Sequence, residues 1–157
     1  MNPGPVAALK SIRHIYFSLK SNTLSVIVKV MNRVFKTRFF SRWMRKTELT
    51  EEILCDAVLE MIHGLIDADL GGGIIKKRVG IAGQGKRGGV RTVLATNKND
   101  RWFFMFGFQK NARSNINSEE KEALKLLAED LLSMSATALD SACQRDELQE
   151  ICHENEK

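Results

Sequence analysis

Between residues 51 and 63, apolar side chains recur three and four apart at Ile53, Leu54, Ala57, Val58, Met61 and Ile62. That spacing is one face of an α-helix. Thr50 is placed to cap it, Glu51 and Glu52 fall in its first turn, and Gly64 follows its end. Residues 38–46 carry Phe39, Phe40, Trp43 and Met44 at helical spacing and predict a shorter helix with a basic outer face. A third helix is predicted from Asn117, paired with Glu120 as a cap, to about Ser133. Its stripe is Ala123, Leu124, Leu127, Ala128, Leu131 and Leu132. Shorter helical patterns cover 137–143 and 146–151. Strand patterns cover 33–37, 74–81, 89–97 and 101–108, and the last three have connections short enough for an antiparallel meander. The expected fold is α+β. N-terminal helices pack on an antiparallel sheet of about four strands, and one or more C-terminal helices follow.

Composition divides the chain further. Residues 1–30 hold four Lys/Arg, no acid and an early Pro-Gly-Pro, and read as a basic N-terminal extension. Residues 31–151 are expected to form the domain, with Met31 as a natural start, and 152–157 a polar tail. Charge is segregated: residues 71–113 contain ten Lys/Arg against one acid, whereas 51–70 contain six acids and no Lys or Arg. Surfaces ordinarily intersperse the signs, so this pattern points to a polyanion-binding face beside acidic helical flanks. No stretch reaches 18 uncharged apolar residues, so no membrane span is predicted.

The chemistry that remains is narrow. Cys55, Cys143 and Cys152 are odd in number and lack metal-like spacing, which suits a reducing compartment with Cys55 in the core. No metal or cofactor is expected. Gly83, Gly85 and Gly88 spell a dinucleotide fingerprint and Gly80, Gly85 and Lys86 nearly spell a phosphate loop. Both motifs require a following helix, and here a strand pattern follows. His63 reads as a helix-end residue, and no nucleophile–base pair is visible. An enzyme built from this chain would run largely on Lys and Arg, which fits RNA cleavage, because the ribose 2′-OH is a nucleophile carried by the substrate itself. On a strand Lys76 and Arg78 share a face. Lys77, Lys86 and Arg87 are RNA-binding candidates, while Lys76, Arg78, Arg91, Lys110 and Arg113 are catalytic candidates.

These features, and in particular LIDADLGGG, the KKR strand, GQGKRGGVRT, DRWFF and GFQKNARSNI, resemble the RelE/HigB toxins of type II toxin–antitoxin systems over about residues 31–151. The resemblance implies a cytoplasmic, ribosome-dependent mRNA endonuclease neutralised by a small antitoxin, often one with a helix-turn-helix. It assigns Lys76 and Arg78 to the paired basic positions, Arg91 to the arginine of the next strand, and Lys110 and Arg113 to basic positions after the last. Relatives carry Arg and Tyr near positions 111 and 117, where this chain has Asn111 and Asn117; its one tyrosine, Tyr16, lies in the extension. Two alternatives stand beside this reading: a non-catalytic nucleic-acid-binding or regulatory protein of the same fold, and a same-fold toxin with a protein target.

Overall fold

Thr37 ends the first strand, β1 (Arg33–Thr37), and begins the first helix, α1 (Arg38–Met44), because its side chain accepts a hydrogen bond from the Phe40 amide at 3.1 Å. In the computed structural model the described residues are 32–81 and 85–153, with side chains described outside 82–87. The N-terminal extension, the Met31 start, Tyr16 and the last four residues of the expected tail lie outside them. Asn32–Cys152 make one compact unit.

The predicted caps form. Thr50 accepts from the Ile53 amide to start α2 (Glu51–Ile62). Asn117 and Glu120 make a reciprocal capping box that starts α3 (Ser118–Leu132). Ser135 caps α4 (Ala136–Gln144). The remaining strands are β2 (Ala68–Gly71), β3 (Ile74–Ile81), β4 (Gly85–Thr96), β5 (Arg101–Gln109) and β6 (Leu148–Ile151), and the sheet order is β2-β3-β4-β5-β1-β6. Gly71, Gly72 and Gly73 all have positive φ, which lets the β2–β3 connection turn within three residues.

Three expectations are corrected. The sheet has six strands among the described residues, not about four, and it is mixed: β1 runs parallel to β5, with Phe35 opposite Phe103. Alternation in 33–37 identifies a strand but carries no information on its direction. Residues 146–151 form no helix; they supply β6, antiparallel to β1. Leu148 and Ile151 are three apart and would share a helix face, but on a strand an odd separation points them to opposite faces. Each is buried, Leu148 in the core on one side of the sheet and Ile151 in the core on the other. Finally, Cys55 and Cys152 are not free thiols. They form a disulfide with a Cα–Cα distance of 5.5 Å, and Cys143 is the free cysteine. Cys55 does lie in the core, but the pair removes the argument for a reducing compartment, and Cys152 is tied down rather than part of a loose tail.

Both sheet faces are covered, which explains why Trp102, Phe103, Phe104 and Met105 are consecutively buried on β5. On the first face α1 and α2 bring Phe40, Leu54 and Met61 against Ile75, Leu94, Trp102 and Phe104. On the second, α3 and α4 bring Leu124, Leu131 and Leu139 against Phe35, Val93, Phe103 and Met105. Gly107 marks a close helix–sheet approach. A Cβ there would lie 2.2 Å from the Trp43 ring of α1. Gly107→Ala is therefore expected to lower stability by about 2 kcal/mol through overpacking, read as a fall in the urea midpoint.

Candidate nucleic-acid interface

The second face of the sheet is roofed by α3 at the end where Gly73 meets Leu132. Toward the other end of β3 and β4 the strands carry cations. Lys76 and Arg78 alternate with the inward-facing Ile75, Lys77 and Val79, as a strand of period two requires. Arg78 stands directly opposite Arg91 in the β3–β4 register. Like charges opposed across a strand pair destabilise a sheet, so folding alone gives no reason for this pairing.

Arg91 is the more constrained of the two. It is only 5% exposed, and its Nη1 has no hydrogen-bond partner. Burial first, and then Arg78, lowers the pKa of its guanidinium from the ordinary value, with Asp67 opposing them. An arginine lowered from so high a value remains charged at neutral pH. Asp67 is the nearby anion: its Oδ2 accepts a 2.6 Å bond from the Arg78 amide and its Oδ1 lies 3.8 Å from Arg78 Nε. It fixes the start of the cationic segment and offsets part of the repulsion.

Lys77 differs from the expectation that it meets RNA. It points to the α2 face, is 3% exposed, and donates to Glu60 Oε1 at 2.9 Å and the Leu65 carbonyl at 2.8 Å. Buried charge needs such partners, and it leaves Lys77 no free charge for a phosphate. The backbone of Lys86 and Arg87 belongs to β4, but their side chains lie outside the described ones.

The two basic residues beyond β5 are separated. Lys110 is exposed and lines a cleft of about 680 Å³ with Lys46, Glu48 and Gln109. Arg113 folds back over the cationic face's neighbours, its guanidinium 5.7 Å from the Phe106 centroid and 5.6 Å from that of Phe108. Both of its terminal nitrogens are paired with Glu120 on the first turn of α3. This pairing lowers the pKa of the Glu120 carboxyl, with help from the Asn117 amide. Asn117 is thus occupied as a cap.

Phe108 stands opposite Arg91 on β5, so aromatic rings continue the row of cations. Phe106 stacks on Phe39, with centroids 6.0 Å apart and planes 10° from parallel. Helical spacing with Phe40, Trp43 and Met44 assigns Phe39 to the core rather than to base stacking, and the structure corrects this, since Phe39 is exposed. Asp67, Phe106 and Phe108 are not singled out from the sequence. His63, as expected, is at a helix end, its Nδ1 2.7 Å from the Leu59 carbonyl. Among the described residues no group of three or more His, Cys, Asp or Glu is arranged to hold a metal, and no helix is long and apolar enough to cross a membrane.

Comparison with known proteins agrees with this architecture. A family model described as the RelE toxin of the RelE/RelB toxin–antitoxin system matches residues 32–151. No curated protein matches the chain.

Proposed function

As the chain belongs to the RelE family of toxins, which act within toxin–antitoxin pairs, we propose that it is an endoribonuclease that cleaves mRNA on the ribosome and is restrained by its antitoxin. The observation that carries this reading is Arg91, a buried guanidinium with an unpartnered nitrogen, set directly opposite Arg78 on the open part of a sheet face. Two cations forced together at a cost to the sheet make a receptor for an anion. A phosphodiester, whose charge grows as it becomes a pentacoordinate phosphorane, is the anion that gains most from fixed donors.

The 2′-OH oxygen attacks the adjacent phosphorus, the bond to the 5′-oxygen breaks, and the proton lost from the 2′-OH is balanced by one gained at the 5′-oxygen. Arg78 and Arg91 neutralise the non-bridging oxygens, and Lys76, on the same face, extends the charge along the strand. Arg113, oriented by Glu120 beside Phe106 and Phe108, serves the leaving oxygen, and Lys110, in its separate cleft, meets the RNA strand further along. On sequence grounds Lys86 and Arg87 grip the backbone of the message or of ribosomal RNA. The reaction so written leaves a 2′,3′-cyclic phosphate upstream and a 5′-hydroxyl downstream, and needs no divalent ion.

The test is induced expression with mapping and chemical typing of transcript ends, repeated on purified components with and without chelator. Cyclic phosphate and 5′-hydroxyl ends that persist in chelator are expected. Ends bearing 5′-phosphate, or cleavage abolished by chelator, would overturn the mechanism. Growth arrest without new transcript ends would favour a protein target.

A further inference from the structure

Phe39 is the one exposed large aromatic side chain among the described residues, at 61% exposure. It sits in the first turn of α1, two residues after Thr37, which caps the helix. Its neighbour Phe40 is fully buried against Trp43 and Phe104, and this sends Phe39 to another side of the helix, where it meets Phe106 of β5. The two rings are nearly parallel, and Phe39 at the end of the stack is mostly in solvent. From that end inward the row is continuous. Phe39 lies on Phe106, Phe106 lies 6.2 Å from Phe108, Phe108 stands opposite Arg91, and Arg91 stands opposite Arg78.

An exposed aromatic face is a liability unless something covers it. Here it terminates a line that begins in two opposed cations, Arg78 and Arg91, which share the single nearby anion Asp67. Alternation of fixed positive charge with flat aromatic rings is the chemistry that holds single-stranded nucleic acid, with phosphates on the cations and bases on the rings. A protein partner docking through an apolar face would be better served by several exposed aliphatic residues around Phe39. The exposed leucines Leu126 and Leu127 are instead on α3, and Leu65 is in the loop after α2.

We propose that the outer face of Phe39 receives one unpaired base of the RNA strand whose phosphate is held by Arg78 and Arg91. This rests on the ribonuclease reading above and adds to it a base-stacking subsite, supplied by the stem of α1 rather than by the segment after β5. Because every base has a flat face, the subsite sets strand position more than sequence.

The experiment measures binding of the full chain to a 5′-labelled single-stranded oligoadenylate by fluorescence anisotropy across a salt series. A second oligonucleotide, in which abasic nucleosides replace the adenosines, is measured in parallel. Phe39→Ala should weaken oligoadenylate binding by about tenfold, on the order of one lost stack. The slope of log Kd against log salt should not change, since that slope counts phosphates. Phe39→Trp should bind as well as the parent or better, and the abasic strand should bind parent and Phe39→Ala alike. The melting temperature of Phe39→Ala should match the parent, since the ring is mostly in solvent. Equal affinity of parent and Phe39→Ala for oligoadenylate, or an equal loss on the abasic strand, would overturn the proposal. So would a loss confined to antitoxin binding. Arg91→Met separates the two levels. If it abolishes cleavage while Phe39→Ala changes nothing, only the stacking subsite falls. If it leaves cleavage intact, Arg91 is not in the site and the subsite placed beside it falls, while the ribonuclease reading stands. That reading falls if the parent protein itself produces no new RNA ends.

Discussion

Arg91→Met is expected to lower RNA cleavage by about a hundredfold or more, the usual loss when one fixed donor to a transition-state anion is removed, and at the same time to leave the protein as stable as before or more so. The two halves of this expectation come from the same geometry. Arg91 is 5% exposed, faces Arg78 directly across the strand pair, and has one nitrogen without a partner. Its charge is therefore a burden on the folded state, relieved in part by Asp67. Replacing a buried, poorly compensated charge with an apolar chain of similar length commonly stabilises by about 1 kcal/mol or more. A residue whose removal raises stability and destroys activity is one retained for function. Arg91→Lys should also be impaired although it keeps the charge, because a lysine presents a single point of charge where the guanidinium presents a fork. The measurements are single-turnover cleavage rates and urea midpoints on the same three proteins. Wild-type rates in Arg91→Met would remove this residue from the site. A large drop in its urea midpoint would show that the guanidinium is structural.

The legibility of this chain follows from which physical signals are local. Helix caps are local, and Thr50 and Asn117–Glu120 are where the sequence places them. Strand alternation is local too, and it carries more than was taken from it. If Lys76 and Arg78 share a face, Lys77 must occupy the other, among the helices, and its ion pair with Glu60 is the consequence. The same rule read at period three and a half misassigned residues 146–151, since Leu148 and Ile151 suit a helix face as well as they suit two sheet faces. What could not be read is what depends on distant partners. The parallel pairing of β1 with β5 joins segments about seventy residues apart, Asn32 to Trp102 being one contact 70 positions long. The partner of Cys55 is 97 positions away. Within the candidate site, the cations were legible as types and as a cluster. The rings that extend the cluster were not, because RWFFMFGF reads as a uniformly buried strand until Gly107 and the bulge near Leu94 show which side each ring takes.

Breaking the Cys55–Cys152 bond should lower the stability of the folded unit by about 4 kcal/mol while leaving the cleavage rate unchanged at temperatures where the fold persists. The bond closes a loop with a sequence separation of 97, and the loss of chain entropy in the unfolded state from a closure of that length corresponds to roughly 4–5 kcal/mol in the polymer estimate, with measured losses of about 2–5. It acts at a sensitive place. Cys152 directly follows β6, a four-residue strand at the sheet edge that pairs with β1 alone. Without the bond, the end of β6 is held by Ile151 packing and its ladder to Val34, so amide exchange should rise first along β6. Activity should be spared because Cys55 is in the core on the α2 face, whereas Arg78 and Arg91 lie on the opposite face of the sheet. The native protein should present one titratable thiol, Cys143, of the three cysteines. Urea unfolding of the parent with and without reductant, and of the Cys55→Ser, Cys152→Ser double variant, gives the stability difference, and thiol titration under native conditions gives the count. Coincident unfolding curves for oxidised and reduced protein, with three thiols titrating, would show that the two cysteines remain unbonded in solution. A reduced protein that is fully folded but inactive would mean that the C-terminal edge of the sheet is coupled to the cationic face across the core.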